Sequence, residues 1–402
     1  MGLMLDNLNF FNTNKDLRNK KFILFGAGIV AKKFINNFDK SKILYLVDNN
    51  KKLWKTEFEN FKVQNPNILK KIQNKNIIVI IMTTSFISVI DQIKYLNKTI
   101  EVSVSHYLKD LIHIEYLQNL KKKILVSSGL PSSKLKFSGG GLYEIDLNGQ
   151  NWSIKKVYSG TIHGVIKYNK GFAISDSTNG IILLDKNYKL IHKGKYSLNT
   201  RAHGIAFNSY NNLFYVACSN TDQIKIFNKK LEYVNSISIS DKYEMYKTPQ
   251  HHINDLFIKD NFLYVSMFSL SGNHKRNIYD GGVLEIDLCN ETKRNTIFGD
   301  LFMPHSIKFI KDSFFVLDSL RGGLIAGSQN IASFTGFSRG LSFDGDYFYV
   351  GQSRNRNFSI INQQKNNISI DNSILIYDAK NKFSRNIYLP NTISEIHEVL
   401  TL

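Results

Sequence analysis

Residues 161–185 read TIHGVIKYNKGFAISDSTNGIILLD. An imidazole and a glycine open the stretch, apolar and polar residues then alternate, and a polar turn leads into two further apolar runs. That pattern is the mark of successive half-buried β-strands. The opening phrase returns as RAHGIAF at His203-Gly204, MPHSIKF at His305-Ser306, SRGLSF at Arg339-Gly340 and EIHEVL at His397. A spacing of roughly 35 to 55 residues is the period of a propeller blade. If each phrase opens the innermost strand of a blade, side chains far apart in sequence converge on one channel.

From Ile124 onward strand patterns dominate, and six blades account for the segment. Their second strands are expected to begin near Leu125, Phe172, Leu213, Leu263, Phe314 and Tyr347. The inner strand of the first blade is missing before Ile124. ISEIHEVLTL at the C-terminus matches TIHGVIKY in register, so the last strand is expected to close the first blade and cover two sheet edges. In the fourth blade, HHINDLFI aligns Leu256 with Ile205 and therefore Asn254 with His203, leaving His252 two residues earlier on the same strand face. The expected ring is His163, His203, Asn254, His305, Arg339 and His397, with His252 and Glu395 one layer away.

The first 122 residues have another rhythm. KFILFGAGIVAKKFINNF from Lys21 places a continuous apolar strand, the turn Gly26-Ala27-Gly28 and a helical apolar spacing in the order of a dinucleotide-type fold. ILYLVD then ends in Asp48, and NIIVIIMTT with a helix around residues 87–96 continues the βαβ alternation. Gly26 permits the tight turn, Gly28 lets backbone N–H groups approach a phosphate, and Asp48 is placed to accept from ribose hydroxyls. The expected fold class is α/β plus all-β: a Rossmann-like parallel-sheet domain over 1–122 with a linking helix, then a six-bladed β-propeller over 123–402. The first domain has room for about one mononucleotide-binding half, which favours a nucleotide or nucleotide sugar over a dinucleotide.

Composition narrows the classes. The 402 residues are 43% hydrophobic and 12% aromatic, too apolar for disorder. No apolar run approaches the roughly 18 to 20 residues that span a bilayer. The opening MGLMLDNLNFFNTNKDL lacks the order of a signal peptide, so a cytoplasmic location is expected. Cys218 and Cys289 form no metal or redox motif. The net charge of +19 lies on scattered lysines with no nucleic-acid-binding pattern, which argues against nucleic acid as a partner.

The GAG turn and the aspartate of VDNN resemble the small Rossmann-like domains of bacterial surface-glycan enzymes. These include sialic-acid-type O-acetyltransferases and the C-terminal domain of sugar C-methyltransferases. The HINDL phrase, on Asn254 and Asp255, and the HGI phrase, on His203, resemble six-bladed propellers of the gluconolactonase and senescence-marker type, where channel oxygens hold a divalent metal. Histidines at those places put calcium in doubt and favour Zn, Fe or Mn. HINDL, MPHS, LDSLRGG and GFSRGL together resemble an uncharacterised bacterial propeller family.

Three readings of the ring follow. His163, His203, Asn254, His305 and His397 hold a metal, with His163, His203, His305 and Arg339 carrying catalysis; or the ring binds a phosphate or carboxylate without metal; or the histidines fill a wet channel. The expected function is an enzyme or accessory protein of surface-carbohydrate assembly. Its small-molecule partner is a nucleotide sugar or sugar phosphate, with other glycan-assembly proteins as further partners. The alternatives are a non-catalytic scaffold binding a protein or glycan, and a metal-dependent lactonase- or lyase-like enzyme. Asp176-Ser177 and Asp318-Ser319 are expected to cap turns, and Arg321, Arg354 and Arg356 to lie at the channel mouth. The loop around Asn273 to Asp280 is expected to be solvated.

Overall fold

A computed structural model describes residues 10–11, 20–194, 201–354, 356, 358–361, 363 and 367–402. Of the opening MGLMLDNLNFFNTNKDL, only Phe10 and Phe11 lie among them. The chain divides into two compact units, Met1–Leu120 and Lys121–Leu402, described separately below. Among the described residues no helix is long and apolar enough to cross a membrane.

In the first unit, strands β1 (Phe10–Phe11), β2 (Lys21–Phe25), β3 (Ile43–Val47), β4 (Glu57–Phe58), β5 (Phe61–Gln64), β6 (Ile77–Ile81) and β7 (Glu101–Ser105) form one sheet in the order β1-β7-β6-β2-β3-β5-β4. All neighbours are parallel except the β4–β5 hairpin. Alternation within β2 explains its apolar run. Phe22 and Leu24 join a core with Ala31 of helix α1 (Ile29–Phe34) and Ile35 just after it, whereas Ile23 and Phe25 join one with Phe86, Val89 and Ile93 of helix α2 (Phe86–Leu96). The sheet is therefore covered on both faces, as parallel sheets require. Strand order reverses between β2 and β6, and Gly26 sits at the carboxyl end of that switch point. Its φ of +114° and a would-be Cβ only 3.1 Å from the Met82 carbonyl oxygen make glycine the fitting residue.

The second unit is a propeller of six four-stranded antiparallel sheets. Taken in blade order, the inner strands are Ile396–Thr401, Ile162–Tyr168, Ala202–Asn208, Ile253–Lys259, His305–Ile310 and Phe337–Phe343, and they neighbour one another in a closed ring. The C-terminal strand pairs with Lys121–Ser128, Val399 opposite Val126, so the first blade is closed by the end of the chain. Second strands run Lys121–Ser128, Gly171–Asp176, Leu213–Cys218, Phe262–Met267, Ser313–Asp318 and Phe348–Ser353, at the places the repeats predict.

One feature escapes pattern reading. In all six inner strands the register with the second strand slips by one residue across the recurring phrase, for example between Ile162 and Gly164 or between Ile396 and Val399. Such bulges re-aim side chains and sharpen local twist. Buried serines lock two of them to the next blade. Ser127 Oγ accepts from Glu398 N at 2.9 Å and donates to the His163 carbonyl at 2.8 Å. Ser175 Oγ accepts from Gly164 N and donates to the His203 carbonyl.

A candidate metal and anion site in the propeller channel

The bulges set His163, His203 and His397 at the entrance of blades two, three and one, and all three are buried. Ring centroids lie 4.5 Å apart for His163 and His203, and 4.2 Å for His163 and His397. One nitrogen from each falls within 4.8 Å of the others. Asn254, His305 and Arg339 line a cavity of about 350 Å³ together with His203 and His397, so five of the six expected ring members share it, and the His163 ring packs against two of them.

His305 does not join the close imidazole group. Its Nδ1 lies 2.9 Å from the Met303 carbonyl and from Ser319 Oγ, and its ring packs edge-on against Phe268 and Phe337. Among the described His, Cys, Asp and Glu side chains, the group with ligand spacing is His163, His203 and His397. His252 also enters the cavity. It precedes the inner strand with φ of +54° and stacks on Phe268 at 4.4 Å, where a regular strand had been expected to set it one layer away.

Hydrogen bonds assign the imidazole protons. Ser177 Oγ donates to the Ala202 carbonyl at 3.1 Å, so it accepts from His163 Nδ1–H at 2.9 Å. His163 Nε2 therefore carries a lone pair. A carbonyl partner likewise fixes the proton of His305 on Nδ1. Arg339 Nη1 donates to His397 Nε2 at 3.3 Å, and His203 Nε2 is buried with no partner. Burial, then the neighbouring Arg201 and Arg339 charges, depress the His163 pKa to about 3. Burial also holds His203, His252, His305 and His397 well below the usual 6.5. All are neutral at pH 7, the form that ligates metals.

Around them the cavity is cationic. Arg339 is buried, its guanidinium 4.6 Å over Phe337, and desolvation lowers its pKa to about 10, leaving it charged. Arg201, Arg354 and Arg356 complete the rim. Glu395 is the carboxylate among them, paired to Arg356 and 3.5 Å from His397 Nε2. Three buried polar atoms here are unpaired: His203 Nε2, Asn254 Oδ1 and Arg339 Nε. Each such atom costs about 1–3 kcal/mol unless a ligand or water meets it.

Asp176 and Asp318 do brace turns and loops, Asp176 Oδ1 accepting from Thr178 N and Asn179 N, and Asp318 Oδ1 from Phe302 N. The following serines instead orient His163 and His305, which the recurrence of Asp-Ser after two second strands signalled only indirectly. Arg321 binds Asp300 and Asp318 in a separate groove between Ile297 and Ser328 rather than at this mouth. The loop read as solvated brings His274 within 4.9 Å of the His252 ring. Arg201 escaped notice because it precedes its strand. In the first unit, Asp48 turns onto its own loop, accepting from Ala27 N and Asn50 N at 2.7 Å. A side chain at Gly28 would meet nothing within 4 Å.

A family model described as a domain of unknown function, DUF4915, matches residues 239–402. No curated protein matches. Solved structures similar in fold include a protein of unknown function from Bacteroides caccae, at 12% identity over 70% of this chain and 99% of that one with a TM-score of 0.48. A chain of the nidogen/laminin complex is 11% identical over 70% and 98%, at 0.47. Regucalcin, a calcium-binding protein from Agrobacterium tumefaciens, is 12% identical over 57% and 74%, at 0.40. Likenesses this distant carry nothing about chemistry; the blades are read from this chain's own strand pairing.

Proposed function

We propose that the histidine mouth of the propeller is the centre of a metal-dependent enzyme acting on a small anionic substrate. The observation that carries this reading is the group of three neutral, buried imidazoles within 4.8 Å, one with its Nε2 unpartnered. Bonds of about 2.0–2.1 Å to a tetrahedral zinc ion place ligand nitrogens about 3.3 Å apart, so closing the group takes ring movements of about 1 Å. The residues fit such an ion, and imidazole donors favour Zn, Fe or Mn over calcium. Bound there, the ion would supply Lewis acidity to a substrate oxygen.

The chain's own groups do the rest. Ser177 holds His163 in the tautomer that presents Nε2, the orientation role typical of groups behind a metal ligand. Arg339, desolvated and rigid against Phe337, binds a carboxylate or phosphate oxygen strongly. Arg201, Arg354 and Arg356 draw anions to the mouth. Glu395, beside His397 and charge-compensated by Arg356, is the group placed to accept or return a proton. Hydrolysis of an ester or lactone, or a lyase reaction, suits this set.

Elemental analysis of purified protein tests the reading. Stoichiometric Zn, Fe or Mn that disappears in a His163→Ala/His203→Ala double variant supports it. A folded protein that neither carries metal nor takes up zinc contradicts it and favours a non-catalytic scaffold.

A second ligand is proposed for the first unit: a nucleotide or nucleotide sugar whose phosphate lies over Gly26-Ala27-Gly28. Its support is the open face at Gly28 and the position at the switch point. In this reading Asp48 acts by holding the loop, and the whole protein serves surface-carbohydrate assembly. Titration with nucleotide sugars tests it; no binding to any, with Gly28→Trp indifferent, removes it.

A further inference from the structure

Each inner strand carries a second residue into its bulge directly after the ring residue: Glu398, Gly164, Gly204, Asp255, Ser306 and Gly340 in blade order. Three are glycines and one is a serine. The two carboxylates come from blades one and four, three blades apart in a ring of six. They open onto a cavity of about 250 Å³ that shares no lining residue with the histidine cavity. Because all six inner strands run the same way, and this cavity is lined by their later residues, it belongs to the opposite mouth of the channel.

Asp255 and Glu398 are 9% and 7% exposed. Asp255 Oδ2 accepts from Ser306 N at 2.7 Å, and Glu398 Oε1 accepts from Val399 N at 3.2 Å and faces Lys308 Nζ at 3.5 Å. Asp255 Oδ1 and Glu398 Oε2 accept no hydrogen bond from the described residues. One ammonium thus pairs with Glu398 and acts on Asp255 through its charge alone, and one oxygen of each carboxylate is left without a donor. Burial raises both carboxyl groups, and the neighbouring Asp255 charge adds to the rise of Glu398, to about 7. Apart from the exposed Lys167, the remaining walls are apolar side chains and backbone, with Ile205, Leu256 and Phe257 among them. Buried carboxylates are stable when paired, and one further compact cation with an apolar body would complete this site.

We propose that the far mouth of the propeller binds a small primary alkylammonium, with Asp255 and Glu398 as its acceptors. Lys308 is a tethered competitor in the same site. A metal cation is the poorer occupant, since an ammonium already lies against one of the two carboxylates.

Isothermal titration of the full-length protein with n-butylammonium, and with n-butanol as the neutral isostere, tests this. Saturable binding of the amine is expected, with none of the alcohol. Glu398→Gln should weaken the amine at least about tenfold, the value of one charged hydrogen bond. Lys308→Met should tighten it, a gain that a misfolded variant cannot produce. The His163→Ala/His203→Ala protein should bind the amine as the parent does, so the fate of this site is separable from that of the metal site. Equal binding of amine and alcohol, no amine binding at all, or an unchanged or weakened affinity in Lys308→Met overturns the proposal.

Discussion

Gly129, the residue after the second strand of the first blade, packs against two of the three clustered imidazoles. A Cβ there would stand 2.5 Å from His397 Nε2 and 2.7 Å from His163 Nε2, against ordinary contact at 3.4 Å or more. Gly129→Ala therefore drives these nitrogens back by about 0.9 and 0.7 Å. A methyl wedged against both nitrogens takes up space in which the rings must move by about 1 Å to close on a metal, and metal sites tolerate distance errors of only about 0.2 Å, so the closed geometry is disturbed. Overpacking of this kind costs about 1–3 kcal/mol of stability, which a domain of this size survives. Disturbing a ligand's orientation alone typically lowers metal affinity about 10–100-fold, and zinc affinity in Gly129→Ala should fall by at least that much. Competition against a chromophoric chelator measures it, with circular dichroism to confirm the fold. Gly299→Ala is the control, because a Cβ there meets nothing within 4 Å. Parental zinc affinity in a folded Gly129→Ala protein would refute the assignment of His163 and His397 as ligands.

Further outcomes follow from the same geometry. Ser177→Ala frees the His163 ring to take either tautomer, and zinc affinity should drop about 10–100-fold with little change in melting temperature. Arg339→Met should abolish quenching or calorimetric binding of small dianions such as phosphate, while Arg339→Lys restores it only in part because the bidentate fork is gone. In metal-free protein the buried histidines take up protons less readily than in the unfolded chain, so stability is constant above pH 7 and declines as pH falls below about 6.5. One imidazole held neutral costs about 1.4 kcal/mol by about pH 5.5. Glu398, raised to about 7, acts in the opposite sense, its contribution being lost as pH rises through 7; urea titrations of the parent and of Glu398→Gln across this range separate the two.

Much of the fold was legible because strand alternation and a repeated phrase are local properties. Matching EIHEVL to TIHGVIKY sufficed to place the closing strand. The ring was legible as membership but not as distance. A one-residue bulge in every inner strand re-aims the side chains, drawing His397, His163 and His203 together while His305 is held apart by Met303 and Ser319. Strict period-two reasoning has no term for that slip, and it set His252 one layer too far away because that residue precedes its strand with φ of +54°. Arg201 precedes its strand, and Ser177 follows one, so periodicity is silent on both. The Asp48 carboxylate shows the converse: the motif placed it correctly at a strand end, and the backbone of its own glycine loop supplied its partners.

The central claim is that His163, His203 and His397 hold one metal ion. Anomalous diffraction at the zinc edge, from crystals of zinc-loaded protein, tests it most directly. The account predicts a single strong peak in the channel about 2.0–2.1 Å from the Nε2 atoms of His163 and His203 and from a ring nitrogen of His397. A loaded, folded protein whose anomalous peak lies elsewhere, or whose three imidazoles surround none, would contradict it.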